Sequence, residues 1–130
     1  SVLLRPRADE VFPEPLFRRL GGALTVALAG CGVHGLVTRG VSDLCLGDRK
    51  VVGSSLRLWR DRALFQASVL VAADVSLFER YLRMPSLAPA YRAGRRHAEF
   101  VTTLAAAGHA VTTTAVGHAL REAFAVAGDG

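Results

Sequence analysis

Three turn-forming residues, Gly47-Asp48-Arg49, separate two short apolar segments and constrain the fold more than any other feature of this chain. Glycine and aspartate favour tight turns, and the flanking segments, residues 44–46 and 51–59, have the apolar or alternating character of β-strands. The sequence therefore predicts a β-hairpin whose return strand begins at Lys50.

Apolar periodicity predicts the remaining elements. Apolar residues recur at helical spacing in four segments, residues 13–30, 74–82, 98–107 and 112–127. Apolar runs predict two further strands, residues 33–41 and 64–72. Asp74 stands where an N-cap is expected. Four strands that follow one another closely predict a largely antiparallel sheet, so the expected class is α+β with flanking helices.

Composition limits the class of protein. About half of the 130 residues are apolar, and we expect residues 1–130 to form a single domain. No apolar run approaches the roughly 20 residues that span a bilayer. The first residues also lack a signal-peptide pattern, so we expect a cytoplasmic protein that does not bind membranes. Cys31 and Cys45 lie in apolar contexts without Cys-x-x-Cys spacing, which indicates structural thiols.

The net charge of +5 comes from arginine, because Lys50 is the only lysine. The arginines form small groups, Arg18-Arg19, Arg57-Arg60-Arg62 and Arg92-Arg95-Arg96. Such groups attract phosphates, acidic proteins or nucleic acid, or are simply solvated. No recognisable nucleic-acid-binding module accompanies them, so nucleic acid is not an expected partner. The histidines lack metal-ligand spacing, and only His97 lies within an arginine group.

The return strand of the hairpin, Lys50-Val51-Val52-Gly53-Ser54-Ser55, is unusual for a surface strand. Its lysine is followed by apolar or small residues, and Gly53 costs about 0.5–1 kcal/mol relative to alanine. Glycine inside a strand often marks close approach by a ligand or another backbone. Lys50 is therefore a candidate functional residue. The alternative is an ordinary hairpin lysine, with Asp43 a turn-facing carboxylate paired with Arg49.

An acidic strand residue, a turn and then Gly-x-x-Lys-Val-Val-Gly-Ser-Ser resemble the signature of lipoate-protein ligases. Residues 64–70 and 91–102 resemble later segments of the same family, so the resemblance covers about residues 35–104. It implies a biotin/lipoate-ligase-type catalytic domain, of which this chain matches the C-terminal part. The family's arginine-rich, glycine-triplet loop, which lies N-terminal to this segment, has no counterpart here. The resemblance therefore also implies pairing with a separate N-terminal part.

The resemblance implies a ligase or acyltransferase that attaches lipoate or octanoate to a carrier-protein lysine through an acyl-adenylate, with ATP and Mg2+. The implied acceptor is a small acidic lipoyl domain or an H-protein-like carrier. Lys50 is the implied catalytic residue, which would stabilise developing negative charge. The implied substrate-binding residues are Ser42, Asp43, Gly53, Ser54, Gln66 and Ser68. Asp43 takes the position that would hold Mg2+ or the nucleotide end of the adenylate.

The chain also departs from the family pattern. Ser42-Asp43 stands where the family usually has Asn-Asp, and Gln66-Ala67 stands where it usually has His-Gly. The absent glycine-triplet loop and Gln66-Ala67 support an alternative, a non-catalytic fragment or pseudoenzyme that acts as a ligand- or partner-binding module. Biotin ligation is a third interpretation, because the two ligase groups share a fold and the lysine strand. No cysteine matches the nucleophile of related octanoyltransferases, and the metal ligands are not assigned.

Overall fold

The computed structural model describes residues 1–127, which form one five-stranded antiparallel sheet and four α-helices. The strands are β1 (Val2–Leu4), β2 (Leu36–Arg39), β3 (Asp43–Leu46), β4 (Arg49–Leu58) and β5 (Ala63–Val69). The helices are α1 (Pro13–Gly30), α2 (Ser76–Tyr81), α3 (His97–Phe100) and α4 (Thr113–Ala127). The strand order is β1-β5-β4-β3-β2, which confirms the α+β class and the largely antiparallel sheet. None of the helices within residues 1–127 is long and apolar enough to cross a membrane.

The predicted hairpin, β3 and β4, contains an irregularity next to its lysine. The turn glycine adopts a φ of 61°, in the left-handed region that glycine tolerates. Leu44 pairs with Val52 whereas Cys45 pairs with Lys50, so Val51 is an extra residue on β4. Such a β-bulge bends the strand and changes the direction of a neighbouring side chain. Lys50 directly precedes this bulge.

One face of the sheet is covered by α1 and α4. The buried leucines of α1 recur every four residues, as Leu16, Leu20, Leu24 and Leu28. Phe65 of β5 packs between the two helices, with ring centroids 6.4 Å from Phe17 of α1 and 6.2 Å from Phe124 of α4. This apolar layer is the core of the described residues, because the alternate residues of each strand point toward the helices.

The helix predicted over residues 98–107 is wrong for most of its length. Helix α3 has only four residues, and Val101 after it is extended, with φ −106° and ψ 155°. Val101 forms a parallel bridge with Lys50, and the Thr102 N–H donates to the Lys50 carbonyl oxygen at 2.9 Å. β-Branched residues favour extended backbone. The Val-Thr-Thr segment therefore pairs with the lysine strand instead of continuing the helix.

The other predicted elements are present, with shifted ends. The strand predicted over residues 33–41 is shorter because the Val33 N–H donates to the Leu28 carbonyl oxygen at the end of α1. The N-cap predicted at Asp74 is wrong by one residue, since Val75 takes that position, although the Asp74 carboxylate accepts a hydrogen bond from the Ser76 N–H at 3.0 Å. The sequence does not predict β1, since its three residues are too few to show a pattern.

Candidate functional site

A cleft of about 590 Å³ lies on the face of the sheet away from α1 and α4. Its floor is formed by alternate residues of β4 and β5, Gly53, Ser55, Gln66 and Ser68. The residues between them, such as Phe65 and Ala67, belong to the apolar core. Side chains of α2, α3 and the segments beside them form the walls, namely Phe78, Leu82, Arg92, His97, Phe100 and Val101.

Lys50 lines this cleft, and its ammonium is held from behind. Its side chain is 27% exposed, and its Nζ lies 2.8 Å from Oδ1 of the buried Asp43. The Tyr91 hydroxyl donates to the other carboxylate oxygen, Oδ2, at 2.7 Å. The alternative pairing of Asp43 with Arg49 is wrong, because the Arg49 guanidinium donates to the Ala98 carbonyl oxygen. Asp43 and Tyr91 therefore fix the position of the lysine ammonium.

Gly53 gives the Lys50 side chain its space. A Cβ atom at Gly53 would lie 2.8 Å from Lys50 Cε and 3.0 Å from Nζ, closer than non-bonded carbon atoms tolerate. The close approach that the sequence predicts at Gly53 is thus made by Lys50 itself. The lysine lies along its own strand at the floor of the cleft.

The other predicted residues divide into two groups. Ser54 lines the cleft, and its hydroxyl donates to the Ser42 carbonyl oxygen at 2.8 Å. Gln66 and Ser68 are exposed on the cleft floor. The structure therefore brings together Lys50, Gly53, Ser54, Gln66 and Ser68. Ser42 and Asp43 support two of them from behind.

Residues that the sequence does not place in the site come from the 91–102 segment. The Tyr91 ring packs against Phe100 at 5.2 Å between centroids. Arg92 is only 4% exposed, and its guanidinium lies 4.6 Å from the centre of the Phe100 ring. Arg92 Nη2 lies 3.3 Å from His97 Nδ1. The available signal was the segment's family resemblance, which says nothing about which of its side chains turn inward.

Burial raises two pKa values behind Lys50. Desolvation, and then the hydrogen bond to Asp43, raise the pKa of the Tyr91 hydroxyl above its ordinary value, so the hydroxyl keeps its proton and continues to donate. Desolvation likewise raises the pKa of the Cys45 thiol, which lies 3.7 Å from the Tyr91 hydroxyl oxygen. A nucleophilic cysteine requires the thiolate. The environment of Cys45 therefore favours a structural thiol.

The surroundings of Asp43 do not fit the magnesium role that the resemblance implies. Lys50 occupies one carboxylate oxygen and Tyr91 the other. Within residues 1–127, no group of three His, Cys, Asp or Glu side chains could hold a metal ion. These residues consequently do not offer a metal site built from protein ligands alone.

Residues 3–125 match the family model of the lipoyl protein ligase A/B catalytic domain. Because the match covers nearly the whole sequence, the chain belongs to this family, as the hairpin motif predicts. Curated protein sequences give no match.

Solved structures share the fold. The chain superposes on a bi-partite lipoate protein ligase from Thermoplasma acidophilum, which was described together with its E2 lipoyl domain. The TM-score is 0.74 and the sequence identity is 17%, and the superposition covers 95% of this chain and 48% of that one. Lipoate-protein ligase A bound with ATP gives a TM-score of 0.71, 20% identity and coverage of 95% and 49%. Apo biotin protein ligase from Aquifex aeolicus gives a TM-score of 0.55 and 17% identity, with coverage of 98% of this chain and 52% of that one. The chain thus spans about half the length of each.

Proposed function

We propose that the protein carrying this chain is a lipoate-protein ligase that attaches lipoate or octanoate to a carrier-protein lysine through an acyl-adenylate. The position of Lys50 carries the proposal, because Asp43 fixes its ammonium at the floor of the cleft. The cleft also has apolar walls that suit an acyl chain, formed by Leu70, Phe78, Leu82 and Phe100. One cleft can therefore receive both an apolar chain and the oxygen atoms at its end.

The proposed reaction has two steps. First, the acid's carboxylate attacks the α-phosphate of ATP and pyrophosphate leaves. Second, the acceptor lysine's amine attacks the acyl carbonyl carbon, AMP leaves and the amine loses a proton. Lys50 carries three N–H donors, of which Asp43 occupies one. We infer that the other two stabilise the negative charge that develops on substrate oxygen atoms.

In this proposal, some of the other predicted site residues contact the substrate directly and others support the residues that do. Gly53, Gln66 and Ser68 contact the substrate from the cleft floor, and Ser54 lines the cleft beside them. Ser42 and Asp43 act through Ser54 and Lys50, respectively. The resemblance implies Mg2+; because Asp43 is already paired, the ion would be held by the ATP phosphates and water, without the protein carboxylate that commonly adds to them. The related ligase bound with ATP supports ATP as the co-substrate.

The proposed acceptor is a small acidic lipoyl domain or an H-protein-like carrier. The bi-partite relative, studied with its E2 lipoyl domain, supports both this acceptor and a separate second part of the enzyme. Exposed Arg83 and Arg96 adjoin the cleft-lining Leu82 and His97 and would attract an acidic surface. The two free cysteines fit a reducing compartment, and we propose the cytoplasm.

A non-catalytic ligand- or partner-binding module is the second candidate function. The observation that favours it is Gln66 on the cleft floor, where the family usually has histidine. An amide cannot titrate near neutral pH as an imidazole does. Both candidates use the same cleft, and they differ in whether acyl transfer follows binding.

Calorimetric titration with a non-hydrolysable lipoyl-adenylate analogue tests the cleft. Lys50→Met is expected to weaken binding about 10- to 100-fold, because a hydrogen-bonded charge is lost. Arg57→Met removes one positive charge from the exposed end of β4 and should bind like the unchanged chain. Equal binding by both variants would refute the role of Lys50.

ATP-dependent labelling of a lipoyl domain separates the two candidate functions. The assay uses this chain together with the part that its structural relatives possess in addition. Labelling that is lost in Lys50→Met supports the ligase. Analogue binding without any labelling supports the binding module.

A further inference from the structure

Arg92 is a deeply buried cation beside the cleft. It ends the 3-10 turn Ala90–Arg92, is only 4% exposed and lines the cleft together with Lys50 and His97. Arginine is rarely buried unless it is paired. Its partners therefore show whether its charge is balanced within the chain.

The protein groups that contact the Arg92 guanidinium include no carboxylate. Nε donates to the Arg95 carbonyl oxygen at 2.9 Å, and the guanidinium lies over the Phe100 ring. Nη2 lies 3.3 Å from His97 Nδ1, and His97 Nε2 lies 3.3 Å from the Arg83 carbonyl oxygen. If Nη2 donates to Nδ1 and Nε2 donates to the carbonyl, the histidine ring is neutral. The contacts orient the guanidinium but do not neutralise it.

The neighbouring arginines differ in this respect. Arg95 pairs with Asp48 at 2.9 Å, and Arg96 pairs with Glu79 at 3.5 Å. Within residues 1–127, no carboxylate pairs with Arg92, although it is the most buried of the three. A buried charge without a counter-ion is costly, and a bound anion offsets that cost.

Arg92 also retains hydrogen-bonding capacity. A guanidinium has five N–H donors, and protein acceptors take two of them. The planar arrangement of these donors matches the paired oxygen atoms of a carboxylate or phosphate. The buried, oriented and unneutralised guanidinium is therefore suited to an oxyanion in the cleft.

We propose that Arg92 contacts substrate and binds an oxyanion, either the acyl carboxylate or the phosphate of the acyl-adenylate. Lys50 on β4 and Arg92 after α2 then hold substrate oxygens from two different parts of the chain. The identity of the anion rests on the proposed function, whereas the anion site itself rests on the geometry of Arg92.

Titration with octanoate, AMP and an octanoyl-adenylate analogue tests this site. Arg92→Gln is expected to reduce affinity about 10- to 100-fold, and Arg92→Lys, which keeps the charge without the fork, by an intermediate factor. Arg57→Gln, which removes an exposed charge at the end of β4, should change affinity less than about twofold. Loss confined to octanoate identifies the carboxylate, and loss confined to AMP identifies the phosphate.

Unchanged affinity of Arg92→Gln for all three probes would overturn the proposal, as would failure of the unchanged chain to bind any of them. If Arg92→Gln does not fold, the Nε–Hε signal of Arg92 in the unchanged chain provides the test by NMR. It should shift on saturation with the analogue, and a static signal refutes the contact. Arg92-dependent binding without ATP-dependent labelling would uphold this site while the proposed function fails. ATP-dependent labelling that is unaffected by Arg92→Gln would uphold the proposed function while the Arg92 site fails.

Discussion

The sheet face under α1 and α4 and the face that lines the cleft use alternate residues of the same strands. On β5, Phe65, Ala67 and Val69 pack toward the helices, whereas Gln66 and Ser68 are exposed on the cleft floor. Strand periodicity thus separates the residues that form the core from those that can contact a ligand. The cleft face can vary its polar groups with little effect on the core.

The two regions also differ in whether each buried charged side chain has a counter-ion. In α1, Arg19 donates one hydrogen bond to each of the two carboxylate oxygens of the buried Glu10, which precedes the helix. Of the two cleft-lining cations Lys50 and Arg92, Lys50 pairs with Asp43, but Arg92 has no carboxylate partner among residues 1–127. A balanced pair fixes one chain segment against another. An unbalanced cation indicates a surface that receives an anion.

The largest expected effect is on the covered face. Phe65→Ala removes the ring between Phe17 and Phe124 and should destabilise the fold by about 3–5 kcal/mol. Gln66→Ala, the adjacent change on the cleft face, should cost less than about 0.5 kcal/mol. Urea unfolding measures both values. A similar loss of stability in the two variants would show that Gln66 contributes to the core as Phe65 does, so the two faces of β5 would not differ in function.

A smaller effect is expected at the Glu10–Arg19 pair. Arg19 lowers the pKa of Glu10 from its ordinary value of 4.5, chiefly through hydrogen bonding. A lowered pKa stabilises the folded state above about pH 4.5, and this contribution disappears as the pH falls through the folded-state pKa. Glu10→Gln should therefore cost about 1–3 kcal/mol near neutral pH and much less in acid.

Unfolding free energies at about pH 7 and about pH 3 check this difference. Glu14→Gln is the matched control, since Glu14 forms an exposed pair with Arg18 and should cost less than about 0.5 kcal/mol. A Glu10→Gln penalty that is the same at both pH values would mean that the carboxyl acts by packing and not by charge.

The parts that the sequence predicts well are those specified by local pattern. The four-residue spacing of leucines defines α1, and the turn residues before Lys50 define the hairpin. The 98–107 segment was mispredicted because its alanines favour a helix locally. The backbone of Thr102 instead pairs with Lys50, a contact across the chain that local pattern does not contain.

The arginine groups show the same limit in the candidate site. Arg92, Arg95 and Arg96 lie within five consecutive residues, yet Arg92 is buried and Arg96 is exposed. The backbone at Ala93 and Gly94 is left-handed, with φ of 52° and 70°, so the 3-10 turn that ends at Arg92 does not continue into α3. The Arg92 and Arg95 guanidinium groups lie 4.6 Å and 5.6 Å from the centre of the Phe100 ring, whereas Arg96 pairs with Glu79, and local pattern does not contain this difference.

Gly53→Ala should affect stability less than Phe65→Ala or Glu10→Gln, and it tests the cleft face most directly. Its new Cβ would displace the end of the Lys50 side chain, which is flexible, so the fold can accommodate it. Alanine also recovers about 0.5–1 kcal/mol of the cost of glycine in a strand. The free energy of unfolding should therefore change by less than about 1 kcal/mol.

Binding should respond differently, because the ammonium is pushed away from its position at the cleft floor while its ion pair with Asp43 is kept. We expect affinity for the adenylate analogue to fall by on the order of tenfold. Gly22→Ala is the matched control, since a Cβ at this exposed position of α1 meets nothing within 4 Å. It should stabilise the fold by about 0.5–1 kcal/mol without changing affinity. Undiminished binding by Gly53→Ala would mean that the position of the Lys50 ammonium does not affect ligand binding. The cleft face would then lack the fixed cation that distinguishes it from an ordinary polar surface.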